Sequence, residues 1–123
     1  MKYMVLIYSS PRLRQAWTGL SEKQRADGLA AYGALSEELI SSGELIATEA
    51  LADPSMGRAV EVREGRTIAS DGPFAEAKEY LAGFYLVDCA TGERAFEIAG
   101  RVPEAAFGLV EVRPIMDLTG FEI

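Results

Sequence analysis

The chain has no histidine, one cysteine and one tryptophan, and its basic residues are outnumbered by acidic ones. Without histidine, the commonest general base and the commonest metal ligand are both missing. Cys89 alone can neither form an internal disulfide nor, with no histidine beside it, anchor a zinc site of the usual kind. It reads as a small buried residue in a reducing, cytoplasmic setting. Twelve Lys and Arg against 19 Asp and Glu leave a net charge of −7, which disfavours phosphate backbones and so nucleic acid. No run approaches the roughly 18 apolar residues of a membrane span. The apolar run from Tyr3 to Tyr8 behind Met1-Lys2 is too short for a secretory h-region. Gly-rich phosphate cradles, dinucleotide fingerprints and nucleophile elbows are also missing. The expectation is therefore a chain without cofactor, metal, nucleic-acid partner or membrane segment.

What is present is an ordinary globular composition, 49% hydrophobic over 123 residues, read as a single domain over residues 1–123. A chain of this size buries about two thirds of its unfolded surface, enough for a core without cross-links. Lys2–Tyr8 reads as a strand apolar on both faces, hence a central one. Ser9–Gly19 reads as a loop carrying Pro11, Arg12, Arg14 and Trp17, the last either a lid on the core edge or the wall of a pocket. Ser21-Glu22-Lys23-Gln24 is a capping box. It opens a helix to Ser42, with Gly43 as its left-handed stop. Ala26, Leu29, Tyr32, Leu35 and Leu39 form that helix's apolar stripe. Gly28 and Gly33 inside it imply close packing on a sheet.

A strand follows at Glu44–Leu51, then a turn at Asp53-Pro54-Ser55. Ala59–Arg63 and Arg66–Ala69 form a hairpin around Glu64-Gly65, with Val60 and Val62 facing in. Leu81–Cys89 is a second strand apolar on both faces. Thr91 caps a helix from Gly92 to about Ala99 that buries Ala95, Phe96 and Ala99, and Gly100 and Pro103 end it. Phe107–Met116 is the last strand, with Val110 and Val112 on one face and Glu111 and Arg113 on the other. The apolar tail Asp117–Ile123 is expected to dock.

With the hairpin set aside, the order is βαββαβ, two split βαβ halves. The fold class is α+β: a ferredoxin-like antiparallel sheet with an inserted hairpin and both helices on one face. The other sheet face is apolar too and needs a cover. A second copy presenting the same face supplies it, giving a homodimer, a dimeric α+β barrel. Glu111 and Arg113 then lie either inside the dimer cavity or on a solvent edge.

Asp71-Gly72-Pro73-Phe74-Ala75-Glu76-Ala77-Lys78-Glu79 is unlike its surroundings in charge and backbone chemistry. Gly72 and Pro73 shape a defined turn, in the kind of connection that often carries function. Asp71 is the candidate acid or base, with a capping role for its carboxylate as the alternative. Phe74, Glu76 and Lys78 are candidate ligand contacts, and so are Tyr8 and Tyr85 on the central strands. Arg113 can hold an anion bidentately, or pair with Asp71 or Glu111.

The same run, with Met1–Tyr8, Gly83-Phe84-Tyr85-Leu86-Val87 and Val110–Met116, resembles the YCII-related family, in the branch named for its DGPF motif. Ala77 departs from it, a threonine being usual there. The resemblance implies a ferredoxin-like α+β dimer and little about activity. The His–Asp pair of other branches cannot be carried over to a chain without histidine. Members of the branch are often encoded beside extracytoplasmic-function sigma factors, which implies a regulatory link. Two functions follow. One is a homodimer that binds a small molecule in a cleft near Asp71–Glu79, with proton-transfer chemistry if it is an enzyme. The other is a non-catalytic regulatory or protein-interaction module.

Overall fold

The structure is a computed structural model and describes residues 1–71 and 78–119. Lys2–Ser9 forms β1, the centre of the sheet. Its apolar residues alternate between a buried set, Tyr3, Val5 and Ile7, and a half-buried set, Met4, Leu6 and Tyr8. On either side lie β5 (Tyr80–Asp88) and β6 (Val110–Pro114), and β2 (Leu45–Ala50) extends the sheet beyond β5. The order β2-β5-β1-β6 is antiparallel throughout. This is the strand order of a ferredoxin-like α+β fold. Within one chain the sheet is open and closes into no barrel.

Register sorts the side chains. Val5 lies opposite both Tyr85 and Val112, and Tyr3 opposite Val87. These belong to the face covered by α2 (Glu22–Ser42) and α3 (Gly92–Gly100). Leu35 and Leu39 of α2 and Ala95, Ile98 and Ala99 of α3 complete the core. Burying a leucine as fully as Leu39 contributes about 1.5–3 kcal/mol. Gly83 in β5 is required by the approach of β2, since a Cβ there would lie 2.9 Å from the Glu49 carbonyl oxygen.

The long helix starts and stops as its sequence dictates. Ser21 and Gln24 satisfy each other's backbone amides, and Gly43 closes the helix at φ 80°. Its N-terminal half departs from expectation: Leu29 is 61% exposed and Ala26 is exposed too. Leu29 borders a hollow with Ile7, Ala82 and Gly83 of the sheet instead of packing into the core. Gly28 does not touch the sheet either. It faces the Trp17 ring, and Gly33 has open space where a Cβ would sit.

The segment expected to be a loop contains α1 (Pro11–Thr18). Ser10 caps it by accepting from the Leu13 amide, and Pro11 occupies the first turn, where its missing N–H is no loss. Pro103–Phe107 forms a 3₁₀ turn closed by Gly108 at φ 71°, so the last strand begins later than the composition suggests. Phe96 is 64% exposed rather than buried. The helix buries Ile98 instead, the residue three positions after Ala95.

β3 (Arg58–Arg63) and β4 (Arg66–Asp71) form a separate two-stranded sheet. Both turn residues, Glu64 and Gly65, have positive φ, as tight hairpins prefer. Val60 and Val62 are exposed in the single chain, contrary to the inward face expected of them. In the tail, Leu118 is exposed, so no docking is seen there. Phe121 and Ile123 lie outside the described residues. No helix among the described residues is long and apolar enough to cross a membrane.

Candidate functional site

Among the described residues no helix packs on the other sheet face, which places Met4 and Leu6 of β1 beside Leu86 and Phe84 of β5. All four are half-buried. On the other side of β1, Leu6 lies opposite Glu111 and Met4 opposite Arg113. The face is thus an apolar field with a polar edge. The register of β1 against β5 shifts between Ile7 and Tyr8, so that Tyr8 pairs with Leu81. Such irregularities re-aim side chains. The Tyr8 hydroxyl donates to Oε1 of Glu111 at 3.2 Å. Arg113 donates to Oε2 of the same carboxylate from Nε at 2.9 Å and from Nη2 at 2.6 Å.

These contacts fix the protonation of the cluster. Burial, then the hydrogen bond and charge of Glu111, push the Tyr8 phenol above its ordinary range. The Arg113 hydrogen bonds hold Glu111 below the usual carboxylate range, and Glu111 in turn raises Arg113. At neutral pH the set is therefore a neutral phenol, a carboxylate and a guanidinium. A carboxylate stabilised in this way is a weak base, and a phenol raised in this way is a weak acid. The cluster suits recognition of a polar group better than proton transfer.

The sequence-predicted residues do not all meet here. Tyr8 and Arg113 are joined through Glu111. Lys78 is exposed just before β5, whose Tyr80 pairs with Ser9. It therefore sits at the Tyr8 end of β1, in a hollow of about 540 Å³ with Ser10, Arg12, Glu79 and Phe107. Asp71 is exposed at the end of β4, opposite Arg58. Arg113 takes Glu111 as its partner rather than Asp71. Tyr85 belongs to the other face: it is buried in the core, with its hydroxyl 3.0 Å from Ser36 Oγ. A tyrosine on a strand apolar on both faces has no address until the register is known. Phe74 and Glu76 lie outside the described residues. Glu111 is the member that the list of candidates omitted, although the alternation of β6 already put it on the face of Arg113. Among the described residues, no three His, Cys, Asp or Glu side chains cluster to hold a metal.

The YCII-related domain matches residues 1–119 of the chain. The chain belongs to the YCII-related family. A relative from Rhizobium meliloti (strain 1021) is 33% identical over 117 residues, which is 94% of this chain and 92% of that protein. It is described only as an uncharacterized protein. The sheet of this YCII-related chain therefore comes with a family but not with a reaction, and its chemistry has to be sought in its own side chains.

Proposed function

We propose that this YCII-related chain is a homodimeric small-molecule-binding protein whose two open sheet faces pack together. Tyr8, Glu111 and Arg113, with Lys78 at the same strand end, line the ligand site. The observation that carries this reading is a hydrogen-bonded polar cluster on the edge of an otherwise apolar sheet face on which, among the described residues, no helix packs. Ligand sites combine those two features, an apolar surround and a few placed polar groups. The ligand is a small organic molecule with an apolar body and a polar head. The Asp71–Glu79 run, which resembles the DGPF signature, leads into β5 at that end through Lys78 and Glu79. The protonation of the cluster favours binding over proton transfer. One observation supports the second reading, a regulatory or protein-interaction module: the hairpin presents Val60 and Val62 to solvent.

The dimer is tested by analytical ultracentrifugation at micromolar concentration, comparing the wild type with Leu6→Glu. The wild type is expected to sediment as a dimer. The variant buries one unpaired carboxylate per copy, at a cost of several kcal/mol, and is expected to be a monomer. A monomeric wild type sinks the proposal. The site is tested by a thermal-shift screen of small organic metabolites against wild type and Arg113→Gln. Compounds that stabilise the wild type are expected to lose that effect in the variant while the dimer persists. If every stabilising compound acts equally on both, the ligand is not held by this cluster.

A further inference from the structure

The helix side of the sheet holds a second cleft. It opens between the N-terminal half of α2 and the sheet, where Leu29 lies off the core. Two adjoining hollows, of about 400 and 260 Å³, share Leu29, Tyr32, Ala82 and Glu104 as lining. Gly83 contributes to the floor. The far end is closed by α1, whose Trp17 ring packs on Gly28 and is itself 38% exposed. The combined space is that of a site for a small organic ligand.

Its chemistry is one-sided. Arg14 and Asp53 at the mouth are paired with each other and cancel. Glu104 lines both hollows and is half-buried. Among the described residues no Lys or Arg pairs with it. Its partner is the Tyr32 hydroxyl, a neutral donor, which burial and the Glu104 carboxylate push well above the ordinary phenol range. A half-buried carboxylate without a cation, in a cleft walled by Trp17, Tyr32 and Tyr80, is an arrangement that favours a positive charge. The carboxylate supplies charge and the aromatic faces supply cation–π attraction.

We propose that this cleft binds a small organic ammonium ion, with its cationic head between Glu104 and the aromatic rings and its apolar body along Leu29 and Ala82. The site is separate from the Tyr8 cluster, since the two lie on opposite faces of the sheet. Trp17 is the chain's only tryptophan, so its fluorescence reports on this cleft alone.

The test is titration of the purified chain with benzyltrimethylammonium chloride at constant ionic strength, read by tryptophan emission. Phenylacetate serves as an anion of similar bulk. The expected result is a saturable change with the ammonium probe and none with phenylacetate. Glu104→Gln keeps an acceptor for Tyr32 and is expected to weaken binding by about tenfold or more. If that variant fails to fold, Trp17→Leu, at an exposed position, is titrated by calorimetry and is expected to bind more weakly as well. Leu6→Glu, on the other face, is expected to leave the titration unchanged, which separates this site from the dimer. The proposal is overturned by a non-saturable response of the wild type or by an equal response to phenylacetate. It is equally overturned if affinity survives both Glu104→Gln and Trp17→Leu.

Discussion

Gly28 and Gly33 sit in the same helix and resemble each other in sequence, yet replacing them with alanine should have different consequences. Alanine in a helix interior is favoured over glycine by about 1 kcal/mol, largely through the unfolded chain's lost freedom. At Gly33 the new Cβ meets nothing within 4 Å. Gly33→Ala should therefore realise the whole gain, about 1 kcal/mol, or roughly 4 °C in Tm for a chain of this size. At Gly28 the Cβ would lie 3.1 Å from Cζ3 and 3.4 Å from Cη2 of Trp17. The half-exposed ring can shift by a few tenths of an ångström, which offsets most of the gain. Gly28→Ala should stabilise by no more than about 0.5 kcal/mol, and it should change the tryptophan emission. Urea denaturation followed by far-UV circular dichroism measures both, at unchanged m-value. A packing glycine against the sheet would instead lose about 1–3 kcal/mol on gaining a methyl group. Destabilisation by Gly33→Ala would refute the account given of this helix face. Equal stabilisation by both substitutions, with unchanged emission, would refute the seat of Trp17 on Gly28.

Tyr32→Phe bears on alkaline stability. The folded state raises this phenol above its ordinary value of 10.0, so its contribution is complete below about pH 10 and is lost as pH rises through the folded value. The variant should lose less stability than the wild type between pH 10 and 11.5, by urea midpoints; parallel curves would contradict the assignment. Arg94→Ala acts at the opposite end. Arg94 donates to Glu44 from Nε at 3.0 Å and from Nη2 at 2.9 Å and holds that carboxyl below its ordinary value of 4.5. This stability is present above about pH 4.5 and is lost as pH falls through the folded value, so the variant should be weaker by about 1 kcal/mol at pH 7 and flatter in acid. An unaltered acid limb would show that the pair contributes nothing.

Locally encoded features were legible in the residues. The capping box at Ser21–Gln24, the left-handed Gly43, the hairpin turn at Glu64-Gly65 and the alternation of Val110–Arg113 each depend on neighbours a few positions apart. The Ser10-Pro11 cap was equally local, yet the arginines and proline after it read as a loop. The family, too, follows from the chain itself.

What could not be read was decided by distances between elements. Period-two apolar residues on both faces make a strand central but do not say which face meets the helices. Only the register assigned Tyr85 to the core and Tyr8 to the open face with Glu111 and Arg113. The helical stripe through Leu29 is the same pattern that buries Leu35 and Leu39. Its exposure goes with the hollow between this turn of the helix and the sheet, a separation the helix sequence does not contain. Tyr32 and Glu104 are 72 positions apart, and their meeting is a product of packing alone. The sequence by itself determined the strands, the two longer helices, their order and the family, though not α1 or the 3₁₀ turn before β6. The tertiary structure decided which side chains share a site, because contacts between distant residues depend on register and packing rather than on local pattern.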